Sequence, residues 1–573
     1  MGPPETANPR EVPRGDSPRG LSSDYHRNAI VGAHGYYDKL ERRQLSNYDR
    51  EAARLYHEVT KHSYTSVRSN PHALDWENRP LAYKIYPAAG SVALPRELDL
   101  SLMPATAAIA GRIGESATGD SQAATTVDAL HFDLDALTRI LFCAGGLTRS
   151  KSVGGEDYHF RAAASAGALY PIEIYLAARD VEALEPGLYH FSPADLKLRG
   201  LRRGGWCEYL ARAAPDHPAL VKASAVLMLS AIFWRSAWKY RARAYRYCFW
   251  DAGTILANLM AATNAEGLTV QIITAFEDPL IERLIDVDGE HEGIVCLVAL
   301  GRTGSAHRSS VDSQSVAEAT SLAPLDLDTV PLSAHETFYE DLAKIHCASR
   351  LESSDEVRAL GTVHFQRESA AVVAETVLPT VLPSNEAMGL GETILRRGST
   401  RTFARESITA EELATIMATS KAPLHTDFPS LVDAYLIVNS VDDLPSGAYF
   451  YRRESGAFDV LKVGDFRREA GYLCLEQPLG ADCSALICYM TDLDRIIDAL
   501  GNRGYRDAHL EAGIRGGRAY LAAYALGRGA SGLTFYDDDT TKFFSPHATG
   551  KSPLLMVAIG VPSRRLAAEG ESI

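Results

Sequence analysis

The 573-residue chain has an ordinary globular composition, with 46% hydrophobic and 23% charged residues, and it exceeds the length that one hydrophobic core usually supports. Two or more domains are therefore expected. The net charge of −15 argues against a nucleic-acid-binding protein and against binding to anionic membranes, and the longest apolar run, 225–234, is about half the length of a bilayer span.

The N-terminal segment and the cysteines bear on the cellular location of the protein. Residues 1–50 begin with a Pro-, Gly-, Arg- and Glu-rich stretch that lacks the apolar core of a secretory signal, and they predict a disordered or partly helical lead-in. The eight cysteines are scattered, with no CxxC pair. Neither a disulfide framework nor a metal site is expected, and a cytoplasmic location fits this pattern.

A repeat with an offset of about 260 residues organises the rest of the chain. The stretch YRYCFWDAG at 245–253 returns as YRDAHLEAG at 505–513, and VALG at 298–301 returns as VAIG at 557–560. The shared order and spacing of these matches indicate a tandem duplication.

Each copy predicts the same order of elements. A helix leads to a strand, hairpin-like strands follow, and a long Ala/Leu-rich helix precedes a terminal apolar strand, which is an α+β order with antiparallel character. In the first copy these elements are expected at Leu134–Cys143, Ile172–Ala178, Gly187–Phe191, Asp251–Glu266 and Ile294–Leu300. In the second copy they are expected at Ala410–Thr419, Ala434–Asn439, Gly447–Tyr451, Glu511–Gly527 and Leu554–Ile559.

Two domains and a connection follow from this repeat. The first domain is expected at 51–302 and the second at 390–573. The connection, 303–389, begins as a Ser/Ala/Asp-rich linker and continues into a helical stretch at 334–350.

The second copy carries a basic motif shortly before its first helix. Residues 396–403 read RRGSTRTF. Arginine side chains, a hydroxyl and backbone N–H groups near a helix start suit a phosphate monoester. Taken alone, the motif also fits a basic, solvent-exposed turn.

This motif resembles the RRSxRxF phosphate-binding signature of the nitroreductase superfamily, a dimeric FMN-binding fold. In the first copy, RAAASAGALYP at 161–171 is similar to the PSAGALYP segment of that superfamily, with Ala164 in place of proline. The region 56–86 and the stretch 238–240 resemble the SagB/ThcOx branch, whose characterised members are peptide azoline dehydrogenases. The resemblance implies an α+β fold in which two tandem nitroreductase-like domains form an intramolecular pseudo-dimer.

The two copies resemble complementary parts of one flavin site. In dimers of this superfamily, one subunit grips the FMN phosphate and the other places a Ser/Gly loop beside the flavin ring. The first copy has no arginine at 120–127, opposite the Arg motif, and the second copy has only HTDFPSLVD at 425–433, opposite the loop. The resemblance therefore implies one composite FMN site and one eroded site.

The resemblance also assigns residues to the composite site. The phosphate grip and the ring loop would consist of Arg396, Arg397, Ser399, Arg401, Ser165, Ala166 and Gly167. Further flavin contacts would come from Gln477, Thr534, Phe535, Arg564 and Arg565. The two late arginines also fit a solvated tail, and the Thr-Phe pair also fits the core of a β-hairpin.

The candidate catalytic residues are Lys239 and Tyr240, which match a Lys-Tyr pair that matters for turnover in the SagB/ThcOx branch. Azoline oxidation removes a proton from carbon, and a desolvated lysine beside cations has a pKa closer to neutrality. The arginines within 241–246 could supply these cations, and Arg246 is also predicted to pair with Asp251. The alternative is a lysine that extends to solvent and a tyrosine that packs on the core.

The function expected from the resemblance is an FMN-dependent dehydrogenase or oxidase that converts azoline rings of a peptide or peptide-like natural product to azoles. A biosynthetic partner protein and further homodimerisation are compatible with the sequence, whereas nucleic acid and membrane partners are not expected. The first alternative is an NAD(P)H-dependent nitro- or quinone reductase. The second is a noncatalytic peptide-binding scaffold of a modification complex.

Overall fold

The computed structural model describes residues 46–69, 71–111, 132–153, 156–215, 217–302, 322–363, 365–366, 375–376 and 387–563. These residues form two halves, and each half is built around a seven-stranded antiparallel sheet. The limits predicted for the two domains stay predictions, because parts of the connection between them, 303–321, 364, 367–374 and 377–386, lie outside the described ranges.

The strands of the two halves follow the same spatial order. The first half contains β1 (Ser91–Ala93), β2 (Leu147–Val153), β3 (Glu156–Arg161), β4 (Ile172–Ala178), β5 (Gly187–Ser192), β6 (Lys197–Arg203), β7 (Ala225–Ile232), β8 (Thr269–Ile273) and β9 (Glu292–Gly301). The second half contains β10 (Glu375–Thr376), β11 (Asp433–Val438), β12 (Gly447–Tyr451), β13 (Phe458–Val463), β14 (Ala485–Thr491), β15 (Gly529–Leu533) and β16 (Ser552–Gly560). The sheet orders are β1-β6-β5-β4-β7-β9-β8 and β10-β13-β12-β11-β14-β16-β15, whereas β2 and β3 form a separate hairpin. The duplication is therefore visible in the topology.

Helices pack on these sheets in both halves. In the first half and the connection they are α1 (Glu51–Val59), α2 (Tyr64–Ser69), α3 (Ala105–Ala110), α4 (Leu134–Gly145), α5 (Cys207–Ala213), α6 (Pro218–Lys222), α7 (Phe233–Tyr240), α8 (Ala244–Ala265), α9 (Asp278–Ile285), α10 (Glu340–Ala348) and α11 (Ser354–Gly361). In the second half they are α12 (Leu390–Arg396), α13 (Ala410–Ser420), α14 (Arg467–Leu473), α15 (Pro478–Asp482), α16 (Leu493–Ala525) and α17 (Asp537–Phe544). The predicted α+β class is confirmed, and each predicted element has a counterpart, although the helical stretch predicted at 334–350 is a helix only over Glu340–Ala348.

The two long helices differ from their predicted bounds. Helix α8 begins at Ala244 rather than at Asp251. This earlier start has no sequence signal, because the aromatic first turns of α8 are buried on all sides and lack the one-sided apolar pattern of a surface helix. Helix α16 begins at Leu493 and is kinked at Gly501, whose φ of +69° is in the region that glycine tolerates best.

Helices α8 and α16 join the halves through a contact between equivalent glycines. A Cβ atom added to Gly253 would lie 2.5 Å from backbone atoms of Gly513, and one added to Gly513 would lie 2.6 Å from the carbonyl oxygen of Trp250. Because α8 also contacts its own sheet and α16 contacts the other, this crossing connects both cores. The halves thus pack as the subunits of a dimer would, within one chain.

We expect Gly513→Ala to destabilise the protein by about 1–3 kcal/mol, since the added methyl group would overlap backbone atoms that cannot move independently. The measurement is the free energy of unfolding in urea. Gly361→Ala is the matched control, because a Cβ atom there meets nothing within 4 Å. Equal unfolding free energies for the two variants would show that the helix crossing is not tightly packed.

Buried ion pairs also connect the halves. The Asp537 carboxylate of the second half accepts hydrogen bonds from Arg243 at 3.0 Å and Arg246 at 2.9 Å in the first half. Arg503 of the second half pairs with Asp278 of the first at 2.8 Å.

The predicted Arg246–Asp251 ion pair is wrong. Arg246 pairs with Asp537, whereas Asp251 accepts hydrogen bonds from Ser165 and Ala166. Residues five apart on a helix do not share a face, so the two side chains leave α8 in different directions.

Two further sequence-based expectations concern the cysteines and the membrane. All eight cysteines are free thiols, and seven of them are buried. Among the described helices, none combines the length and apolar character that would let it cross a bilayer.

Candidate functional site

The extra length of the first copy forms a hairpin and a loop. Strands β2 and β3 pair with each other and are followed by residues 162–171, which lead into β4. In the second half, the shorter segment 421–432 connects α13 to β11 without a hairpin. The divided motifs of the sequence therefore correspond to a structural difference between the halves.

The Asp251 carboxylate fastens this loop. Asp251 Oδ2 accepts a hydrogen bond from the Ser165 hydroxyl at 2.5 Å, and Oδ1 accepts one from the Ala166 N–H group at 2.9 Å. The Ser165 hydroxyl oxygen also accepts a hydrogen bond from the Tyr170 N–H group at 2.9 Å. Burial raises the pKa of Asp251 to about 7, although the hydrogen bonds from Ser165 and Ala166 lower it.

Gly167 brings the loop against the candidate catalytic pair. Its φ is +66°, and a Cβ atom at this position would lie 2.9 Å from the Tyr240 hydroxyl and 3.2 Å from Lys239 Nζ. Because Gly167 is exposed, its backbone faces open space next to both side chains. The structure thus brings the predicted ring loop and the predicted catalytic residues together.

The charge environment of Lys239 differs from the sequence-based expectation. Burial lowers its pKa, and the positive charges of Arg401 and Arg79 lower it further. The arginines within 241–246 are directed elsewhere, since their guanidinium groups bind backbone carbonyls and Asp537. A cation from the second half therefore lies beside the lysine of the first half.

Tyr240 is held as a neutral phenol. Burial raises its pKa, as do the neighbouring Tyr247 and Asp251. Its ring stacks on that of Tyr247 with centroids 4.1 Å apart, and the Tyr247 hydroxyl donates to Thr534 Oγ1 at 3.3 Å. Thr534, a predicted flavin contact of the second half, thus reaches the same site.

The first two arginines of the basic motif have different surroundings. Arg396 is half-exposed and pairs with Glu392 at 2.6 Å. Arg397 is buried, and its guanidinium donates to the carbonyls of Arg161 at 2.6 Å and Ala162 at 2.9 Å. Arg397 therefore fixes the start of the loop in the other half, a role that the motif alone did not indicate.

Two further residues of the motif, Ser399 and Arg401, are at least partly exposed. Ser399 shares a side-chain hydrogen bond with Tyr520, and the Tyr520 hydroxyl also accepts from the Gly532 N–H group. Arg401 is exposed, and within the described part of the chain it forms no ion pair.

Other predicted contacts are placed less directly. Phe535 is fully buried, with its ring 6.3 Å from that of Trp250, so it belongs to the core between the halves. The Gln477 amide donates to a carbonyl of its own turn at 3.0 Å. The predicted contacts Arg564 and Arg565, and the segment 120–127, lie outside the described residues.

Two arginines of the site were missed from the sequence. Arg149, on β2, has a guanidinium nitrogen 3.7 Å from the position of a Gly398 Cβ atom. Arg79 lies 5.1 Å from the Tyr158 ring and acts on the pKa of Lys239. Neither arginine belongs to a recognisable motif. The only sequence feature that could have pointed to either as a site residue is that Arg149 falls within the extra length of the first copy.

The sequence profile described as "Nitroreductase family" matches residues 131–302 and 394–561, which together are more than half of the chain. The chain belongs to the nitroreductase family. Both copies are nitroreductase domains, which confirms the tandem organisation, and the family is one of oxidoreductases.

Three relatives illustrate this similarity. The protein described as "Putative nitroreductase MJ1384" of Methanocaldococcus jannaschii is 30% identical over 154 residues, 27% of this chain and 74% of that protein. The "Microcin B17-processing protein McbC" of Escherichia coli is 26% identical over 129 residues, 22% of this chain and 47% of that protein, so the match spans about half of its length. The crystal structure of a "putative nitroreductase" from Anabaena variabilis superposes with a TM-score of 0.69 at 25% identity, covering 89% of this chain and 99% of that one.

The second nitroreductase domain retains the loop clamp in altered form. Glu511, the counterpart of Asp251, accepts from the Ser430 hydroxyl at 2.9 Å and from the Leu431 N–H group at 2.6 Å. Unlike Asp251, it also pairs with Arg515 at 2.6 Å.

The second nitroreductase domain lacks the Lys-Tyr pair. Ala499 and Leu500 stand at the positions equivalent to the pair. The alignment is supported by the next position, because Arg241 and its counterpart Gly501 both have positive φ, +52° and +69°. The two nitroreductase domains therefore hold only one set of candidate catalytic side chains.

Proposed function

We propose that this chain is an FMN-dependent dehydrogenase or oxidase that oxidises azoline rings of a peptide or peptide-like natural product at one composite site. The observation that carries the proposal is that Gly167, Lys239 and Tyr240 of the first domain lie together and that Arg401 of the second is near enough for its charge to lower the pKa of Lys239. A reactive pair, a close-approach backbone and a cation are thus assembled from both halves.

The residues present fit a phosphate-bearing flavin. Arg149 has a guanidinium nitrogen 3.7 Å from the position of a Gly398 Cβ atom, and Ser399 and Arg401 follow Gly398 in the chain, so cations and a hydroxyl are available there to hold a phosphate group. Gly167 is exposed, so its backbone is accessible to a flat ring, and the absence of a side chain lets this backbone pack directly against Lys239 and Tyr240.

The first domain supplies the proton chemistry. Because burial and two cations lower its pKa, a larger fraction of Lys239 is a neutral amine near pH 7 than for an exposed lysine, and that amine can accept a proton from substrate carbon. Tyr240 remains protonated, so its hydroxyl can donate a hydrogen bond to the substrate or pass a proton on. Bound FMN would supply the acceptor for the hydride equivalent.

The relatives support the substrate class. McbC is described as a microcin B17-processing protein, and this chain is similar to half of its length. We infer a peptide or peptide-like substrate and, by the same similarity, a biosynthetic partner protein. The free thiols support the expected cytoplasmic location, since reduced cysteines are usual there.

The second candidate is an NAD(P)H-dependent nitro- or quinone reductase, which the description of the M. jannaschii relative favours. Anaerobic reduction of the FMN-loaded chain distinguishes the two. We expect an azoline-containing peptide to bleach the flavin absorbance and to yield the azole, with little bleaching by NADH or NADPH. Rapid bleaching by a nicotinamide and none by the azoline peptide would favour the reductase. A chain that takes up no flavin would favour the noncatalytic scaffold.

A further inference from the structure

The duplication places two carboxylates in equivalent settings with different neighbours. Asp251 and Glu511 each accept a hydrogen bond from a serine hydroxyl and from the next backbone N–H group. Glu511 is neutralised by Arg515 and Arg453, at 2.6 and 3.5 Å. The position equivalent to Arg515 in the first domain is Ile255, which lines the same small cavity as Asp251.

Asp251 is consequently a buried carboxyl group without a cationic partner. It is 4% exposed, and no ion pair to it occurs among the described residues, since Arg246 is engaged by Asp537. An ionised carboxylate in this position is poorly solvated, so the closed structure favours the protonated carboxyl. Unpaired buried carboxyl groups are uncommon and concentrate at functional sites.

The geometry shows how the loop can stay closed over a protonated carboxyl. A proton on Asp251 Oδ2 would lie between that oxygen and Ser165 Oγ, 2.5 Å away, while Oδ1 still accepts from the Ala166 N–H group. Both contacts therefore survive protonation, with Ser165 Oγ changing from donor to acceptor and its own hydroxyl hydrogen turning away from Asp251, while the desolvated charge is lost. Ionisation of Asp251 favours the open loop, because opening would let water hydrate the carboxylate charge.

Other titratable or charged groups surround this carboxyl. They lie on α7, on α8, beside the loop and on the second domain, and they are Lys239, Tyr240, Tyr247, Cys248, Arg161, Tyr170, Arg401 and His509. A test must therefore isolate the contribution of Asp251 from theirs.

We propose that Asp251 is a positioning residue that holds Ser165–Gly167 against Lys239 and Tyr240, and that the loop closes with uptake of one solvent proton at this carboxyl. The loop is therefore held more firmly below about pH 7 than above it. Its effect on a flavin rests on the proposed function, whereas its effect on the loop does not.

Hydrogen exchange of the full-length, FMN-free chain tests the proposal directly. After correction for intrinsic exchange, amide protection in a peptide covering 161–172 should fall in the wild type as pH rises from 5 to 7, by up to about tenfold per pH unit, and then level off. Asp251→Asn keeps an acceptor and carries no charge, so protection should be retained and independent of pH. Asp251→Ala removes the acceptors, so protection should be lost at every pH.

The second domain provides the matched control. Glu511→Gln should leave the pH dependence of the 161–172 peptide unchanged, because Glu511 lies in the other half of the duplication. Wild-type protection that does not change with pH, an Asp251→Asn variant that titrates as the wild type does, or an Asp251→Ala variant with intact protection would each overturn the proposal.

FMN binding separates this inference from the proposed function. If the chain binds FMN, the dissociation constant should increase with pH more steeply in the wild type than in Asp251→Asn, and equal slopes would overturn the effect on the flavin. If the chain binds no FMN, the proposed function fails, and the exchange data still decide whether Asp251 holds the loop.

Discussion

Lys239→Met is expected to lower azoline turnover at least about 100-fold while the chain still binds FMN, because the substrate proton loses its acceptor. Tyr240→Phe is expected to reduce turnover as well, since Tyr240 is the neutral donor beside the lysine. The Lys239 ammonium group lies next to the backbone of Gly167. Replacing this side chain should therefore leave the residues proposed to bind the FMN phosphate undisturbed. The measurements are kcat and the flavin content of each variant.

The pH dependence of turnover gives a second readout for Lys239. The lysine must be neutral to accept a proton, so kcat should rise with pH as Lys239 deprotonates. This rise should occur below the ordinary lysine range, because burial and the cations Arg401 and Arg79 lower the pKa. The rise should be absent in Lys239→Met.

Lys421→Met is the matched control. Burial lowers the pKa of Lys421 too, and its ammonium group donates to the Arg453 carbonyl at 3.0 Å in the cavity of the second domain. We expect unchanged turnover. A Lys239→Met variant that binds FMN and keeps full turnover would instead support a lysine that only packs.

Asp537→Asn is expected to cost about 3–5 kcal/mol of unfolding free energy at pH 7, the largest stability effect that we expect from a single substitution. The substitution leaves Arg243 and Arg246, both almost fully buried, without their counter-charge. Because these arginines and Asp537 lie in different halves, the loss should also weaken the attachment of the two domains. The measurement is urea unfolding at several pH values.

The acid limb of the stability curve provides a further check. Burial alone would raise the pKa of Asp537, but the charges of Arg243 and Arg246 hold this pKa below its usual value. The stabilisation is therefore present above about pH 4 and is lost as pH falls through the lower, folded-state pKa. The Asn variant should lack this part of the acid destabilisation.

Asp538→Asn tests the specificity of the effect. Asp538 is the next residue, is 78% exposed and pairs with Lys61 at 2.9 Å. An exposed pair of this kind contributes at most about 1 kcal/mol. Comparable losses for the two variants would mean that Asp537 is not the charge that connects the halves.

Sequence patterns predicted the elements of this fold well where periodicity was regular. The strand Ile172–Ala178 and the helix start at Leu134 are found as predicted, because apolar strands and capped helices carry local signals. The start of α8 at Ala244 was missed, since a helix buried on all sides has no polar face to set its period.

The site was predictable only as far as its motifs extend. The loop at 165–167 and the pair Lys239 and Tyr240 were singled out separately, and nothing in the sequence showed that they touch. Arg149 and Arg397 reach the other half of the molecule through tertiary contacts, which leave no local spacing to recognise. The predicted pairing of Asp251 with Arg246 was wrong for the same reason, because the partner of Arg246 is Asp537 of the other half.

The central claim is that two nitroreductase domains share one composite flavin site, and its most direct test is the FMN content of the purified, FMN-saturated chain after heat release. Only the first domain has the Lys-Tyr pair and the Gly167 loop, and in the second the clamp carboxylate Glu511 is bound by Arg515. We therefore predict about one FMN per chain. Two FMN per chain would show that the second site also works, and none after reconstitution would contradict the flavin site altogether.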